Sequence, residues 1–342
     1  MKTTSDRLDR IFGSLEAAGY PRKFQASLLP EWVTPDVLSD EGASMEIAAI
    51  LAKRLGLRTS PLFAQSPHVE SLKRRDTKYK RSIPNRSKNL TAATSVAVAI
   101  AESIAAACPF EYKQPPNDPL LLRESVMRDF GGRWLGLRNL LMYCWANGLP
   151  VVHLAELGPG VPKMDGMVVQ TKSRPVIILS KAADLWAWQL FVLAHEVGHL
   201  ALGHIDEDEI LIDEELGKDS YALADADLDE RAADSFAIEL LNGRRDATYV
   251  VVEEGLNAPT LANAAYEYGK INRIDPAHIA LNFAHHSGQW AVGIAAANTL
   301  QGNNPPAPSV INDGLWKNID ADVFPDDTLE FLRRTTGTIA PN

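Results

Sequence analysis

The chain has 342 residues, 46% of them hydrophobic, with a formal net charge of −10 from 34 Lys and Arg against 44 Asp and Glu. That length and apolar content suffice for a sizeable core, expected as two domains, and the acidic balance argues against a general binder of nucleic acid or anionic membrane. Cys108 and Cys144, the only two cysteines, offer neither a disulfide framework nor a CxxC metal site, which fits a reducing cytosol.

The opening Met1-Lys2-Thr3-Thr4-Ser5-Asp6-Arg7 leads into a charged amphipathic pattern and shows no signal-peptide h-region. No stretch is apolar for long enough to span a membrane, so a cytoplasmic protein is expected. Leu8, Ile11, Phe12 and Leu15 recur at helical spacing until Gly19-Tyr20-Pro21 breaks the pattern, and Ser44 to Leu57 reads as a second amphipathic helix. Such a bundle serves packing or protein contact more often than DNA binding. Lys73 to Arg81 is the one basic patch. Tyr79 alone interleaves it, so a solvated face outweighs direct nucleic-acid binding there. Asn89 to Cys108 is Ala-rich and helical, and Pro109 to Pro119 reads as a linker. The helical N-terminal region is therefore expected over residues 1–110.

Beyond the linker the pattern turns to helix and strand. Arg133 to Ala146 carries leucines and aromatics at helical spacing, and Leu149 to Leu154 reads as a strand. Met167 to Gln170 and Val176 to Leu179 flank a turn near Lys172-Ser173 and read as a hairpin. An edge strand in this hairpin, Gly166 to Ser180, is the expected place for a substrate backbone to add to the sheet. His153 on the preceding strand reads as a core or rim residue.

The apolar run Trp186 to Leu202 contains His195-Glu196-Val197-Gly198-His199, an HExxH element. On a helix, His195 and His199 project from one face and can reach a single metal ion. Glu196, about 100° round the helix, can poise a water without being a ligand. Imidazole and carboxylate donors with one open position suit Zn²⁺. In the metzincin pattern a third histidine lies six residues after His199 with a glycine midway, but here those positions are Ile205 and Leu202. His204, one residue short, is read as closing the helix end. The better third ligand is Glu230. It opens a segment in which Ala233, Phe236, Ala237, Leu240 and Leu241 have helical spacing, so Asp234 lies one turn on and can accept the free N–H of His195.

The insertion between His204 and Glu230 is acidic, with Lys218 its only basic residue. It reads as a solvated loop that would also attract a basic substrate segment. After Pro276 a helix runs into His285-His286-Ser287-Gly288. His285, His286, Tyr266 and Tyr268 are all candidates to stabilise an oxyanion, and the sequence does not rank them. Residues 299 to 310 read as a Pro/Asn linker, and 291–342 as a C-terminal appendage with a short helix at Thr328 to Arg334.

The residues together resemble the ImmA/IrrE-type zinc metallopeptidases. The resemblance rests on His195-Glu196-Val197-Gly198-His199 followed by Glu230-x-x-Ala233-Asp234-x-Phe236-Ala237. Upstream come Gly148-Leu149-Pro150-Val151-Val152, Met164-Asp165-Gly166 and Arg174-Pro175-Val176-Ile177-Ile178-Leu179-Ser180; downstream comes the segment Leu261 to Leu281. It covers roughly residues 120 to 290. It implies an α+β fold, with a small zincin-like metalloprotease domain and short twisted sheet over 117–290 following the helical N-terminal region. It also implies a zinc endopeptidase that cleaves a specific protein such as a DNA-binding transcriptional repressor. The long insertion before Glu230 departs from the family pattern. A non-catalytic or DNA-binding module that holds a partner through the N-terminal region is the competing expectation.

Overall fold

The computed structural model describes residues 5–72, 76–80, 87–154, 165–180, 182–205, 209–213, 228–250 and 255–337. In chain order the elements begin with α1 (Asp6–Ala17), α2 (Arg22–Ser27), α3 (Pro35–Ser39), α4 (Ser44–Arg54), α5 (Thr59–Leu62), β1 (Asp76–Lys80) and α6 (Ser87–Ala107). Then follow α7 (Pro119–Asp129), α8 (Leu137–Ala146), β2 (Val151–His153), β3 (Gly166–Gln170), β4 (Pro175–Leu179), α9 (Trp186–Ala201) and β5 (Glu209–Asp213). The chain closes with α10 (Leu228–Asn242), α11 (Ala258–Asn272), α12 (Pro276–Ser287), α13 (Trp290–Gln301), α14 (Ala307–Asn318) and α15 (Asp326–Thr336). The fold is mixed α and β and mostly helical. No helix among the described residues is long and apolar enough to cross a membrane.

The strands form one small sheet in the order β1-β5-β3-β4-β2, with the β3-β4 pair inside it and β1 and β2 at its edges. The expected hairpin is present: β3 and β4 pair antiparallel from Gly166↔Leu179 to Gln170↔Pro175. Its turn is closed by Thr171, whose backbone N–H and Oγ1 both donate to the Arg174 carbonyl, at 3.0 and 2.7 Å. The hairpin is not an edge, however. β5 pairs with the outer side of β3 and β2 with the outer side of β4, so both rows of backbone groups are taken. Strand addition at Gly166 to Ser180 is thereby closed off, because an occupied ladder has no donors or acceptors left to offer. Part of the expected basic patch is itself sheet, with β1 running parallel to β5.

Strand side chains alternate between two cores, as a period of two requires. Val151, Val168, Ile177 and Leu179 face one core with α7, α8, α9 and α10. Val152, Leu154, Met167, Val169, Val176 and Ile178 face another, built from the N-terminal helices, α6 and the last two helices. The segments expected as a separate N-terminal region and a C-terminal appendage thus share one core on the far face of the sheet. Phe331 and Leu332 of α15 are buried there with Leu51 and Ile100. Arg54 fixes the contact, donating to the Leu28 carbonyl and, at 2.9 Å, to that of Asp327. The prolines expected in a linker over 299–310 instead start α14: Pro306 is its N-cap and Pro308 sits in its first turn, where no backbone N–H is needed. α14 then guards β2. Asn312 accepts from the His153 N–H at 2.9 Å and donates to the His153 carbonyl at 2.8 Å.

Candidate metal centre

α9 lies between the sheet and α10, and thirteen of its sixteen residues are buried, which is why its sequence is apolar nearly all round. His195, Glu196 and His199 are each fully buried in it. α10 crosses closely. A Cβ on Gly198 would meet the Ala233 carbonyl and the Phe236 ring at 3.2 Å, so the glycine inside the motif sets how near the two helices come. The first turn of α10 carries Asp229 and Glu230, the acidic residues a helix N-terminus favours, and Glu230 is fully buried against the two histidines.

The three donors converge. His195 Nε2 and His199 Nε2 are 2.9 Å apart, and they lie 3.5 and 3.4 Å from the two Glu230 carboxylate oxygens. Four-coordinate donors at about 2.0–2.2 Å from a divalent ion lie about 3.3–3.6 Å from one another. Two of the three separations fall in or next to that range, and the third is shorter by a few tenths of an ångström. The group of His195, His199 and Glu230 could therefore hold a metal ion. Asp234, expected beside His195, is there: its Oδ1 lies 2.8 Å from His195 Nδ1, the ring nitrogen other than the one that faces the two further donors.

Glu196 sits outside this donor set and packs against the start of β3. A Cβ on Gly166 would lie 2.7 Å from Glu196 Cδ and would overlap its Oε1, so a side chain there requires the Glu196 carboxylate to move. Asp165, just before it, is buried, and its carbonyl accepts from the Ser180 N–H at 3.2 Å.

His204 has a larger part than closing the helix. Its Nδ1 is 2.9 Å from His199 Nδ1, and its Nε2 is 3.7 Å from Asp229 Oδ1. The four oxyanion candidates separate by surroundings. Burial holds His285 below the usual histidine range, the neighbouring His286 adds to this, and Asp234 pulls the other way, so His285 lies in the field of the Asp234 carboxylate. His286 stacks edge-on with His285 at 4.9 Å. Tyr266 accepts from Arg133 at 2.9 Å and packs on Trp134, and Tyr268 packs on Tyr249 at 5.5 Å. A further histidine that the motif reading passed over, His278, is buried beside α9, stacked on Phe191 and 3.1 Å from the Asn242 amide nitrogen.

Three contacts escaped the sequence reading: that of His204 with His199, and the close approaches at Gly166 and Gly198. A glycine at the first position of an apolar strand, and another inside an HExxH helix, are signals of close approach that could have been taken up. Compared with protein-family models and with curated proteins, the chain matches none.

Proposed function

We propose that the chain is a zinc-dependent endopeptidase of the ImmA/IrrE type, with a zincin-like arrangement of sheet and motif helix, acting in the cytoplasm on a specific protein such as a transcriptional repressor. The observation that carries this reading is a buried His-His-Glu donor set from α9 and α10 with a second carboxylate, Glu196, held beside it but outside it. A purely structural metal site has no use for that extra carboxylate, and a site kept only for binding would not need it.

His195, His199 and Glu230 would hold the ion. When bound, Zn²⁺ supplies Lewis acidity, which activates water and polarises a peptide carbonyl. Asp234, 2.8 Å from His195 Nδ1, would hold the proton on that nitrogen and so keep Nε2 available. Glu196 takes the proton of the attacking water on its carboxylate and returns it to the leaving amine nitrogen. Gly166 leaves that carboxylate the room it occupies. The run of acidic residues between His204 and Glu230 favours a basic substrate segment, as a DNA-binding repressor carries.

The test combines metal analysis of the purified chain with incubation against the protein encoded next to it. The parent is expected to hold zinc and cut that partner; Glu196→Gln is expected to hold zinc and leave it intact. Cleavage by Glu196→Gln, or a parent without metal, removes the mechanism.

A further inference from the structure

α9 ends in a Schellman motif. The Gly203 N–H donates to the Leu200 carbonyl at 3.2 Å and the His204 N–H to the His199 carbonyl at 3.0 Å, with Gly203 at φ 71°. This turn brings the side chain two residues beyond the C-cap back against the residue three positions inside the helix, where an apolar pair usually meets. Here the pair is His204 and His199. Their rings lie 5.1 Å apart between centroids, with Nδ1 facing Nδ1 at 2.9 Å.

We propose that His204 is a positioning residue for metal binding, accepting the Nδ1 proton of His199 so that the His199 Nε2 lone pair is free for the ion. The inference rests on the metal reading above and deepens it. A neutral imidazole that offers Nε2 to a cation carries its proton on Nδ1, and that proton needs an acceptor. At His199 Nδ1 the facing atom is His204 Nδ1, which therefore accepts, and His204 keeps its own proton on Nε2. That nitrogen is turned toward Asp229 Oδ1 at 3.7 Å. The two histidines of the motif are thus oriented by different devices. His195 uses a carboxylate from α10 directly, and His199 uses an imidazole delivered by the end of its own helix and backed by the residue preceding Glu230.

The experiment is zinc affinity of the full chain, measured by competition with a chromophoric chelator, for the parent, His204→Ala and His204→Asn. An asparagine Oδ1 occupies nearly the position of Nδ1 and accepts the same proton. His204→Ala is expected to weaken zinc binding about 10–100-fold, and His204→Asn to recover most of that loss. The metal-free forms of all three are expected to melt together. Equal affinity of His204→Ala and parent overturns the proposal. So does an asparagine variant as weak as the alanine one, or a metal-free His204→Ala that melts far below the parent. A parent that binds no zinc overturns the metal reading itself, and this proposal with it; a parent that binds zinc but cuts nothing leaves this proposal standing and removes only the protease.

Discussion

The carboxylate of Glu196 occupies the space where Gly166 would carry a side chain. One residue on the motif helix and one at the start of β3 are therefore fitted to each other. Gly166→Ala is expected to destabilise the chain by about 1–3 kcal/mol, the usual scale for overpacking a core. Removing the obstacle with Glu196→Ala in the same chain should restore most of it. Urea unfolding of the parent, both single variants and the double variant measures the coupling. Additive losses would show that the added methyl meets something other than Glu196.

Zinc binding should appear as stability. An ion that binds only the folded chain adds about 2.7 kcal/mol when present at a hundred times its dissociation constant. That increment is expected in the parent and absent in Glu230→Ala, because two histidines one turn apart then lack the carboxylate from α10. Denaturant unfolding with zinc and with a chelator reads it directly. An undiminished increment in Glu230→Ala would exclude that residue as a ligand.

Asn312 joins the last part of the chain to the sheet. Besides its two bonds to His153, it donates to the Thr336 carbonyl at 2.8 Å, and it is 1% exposed. Asn312→Leu strands buried backbone groups at the β2 edge and is expected to cost about 2–4 kcal/mol. It should also raise aggregation on partial unfolding, since the edge loses its guard. The urea midpoint and light scattering test both. An unchanged midpoint would mean that the edge is held by other contacts.

Two desolvated groups at the start of α12, the part-buried Asp275 and the buried His278, set opposing pH dependences. Burial pushes Asp275 up to about 6, against backbone donation from His278 and Ala277, while burial and then Arg123 push His278 down to about 4. The folded chain holds the Asp275 proton more tightly than the unfolded chain does. That stabilising share is complete below the ordinary carboxylate value of 3.8 and lost as pH rises through about 6. For His278 the unfolded chain binds the proton more tightly, so its share is complete above the ordinary 6.5 and lost as pH falls through about 4. The two slopes offset each other over about pH 4 to 6. Asp275→Asn, which keeps an N-cap acceptor, should therefore leave stability rising with pH across that window. Urea unfolding at several pH values checks it, and an unchanged slope would show that Asp275 titrates in its ordinary range.

Much of the candidate metal site was legible in the chain. The spacing of His195 to His199, and of Glu230 to Asp234, is a local matter: residues four apart on a helix share a face whatever surrounds them. The hairpin of β3 and β4 was legible for a similar reason, since its partners lie within a few residues of one turn. The roles of His204 and Gly166 were not. His204 meets His199 only because Gly203 reverses the backbone, and Gly166 matters only because β3 passes over Glu196.

What the sequence determined by itself is the set of local periodicities: which faces are apolar, where helices stop, and that two imidazoles point one way. The tertiary structure decided which elements are neighbours. It placed β5, from an acidic insertion, against β3, and so buried a hairpin that reads as an edge. It also closed the far face of the sheet with helices from both ends of the chain. Pairings across hundreds of residues depend on which apolar faces fit together when all are buried at once, and no stretch of sequence carries that information alone.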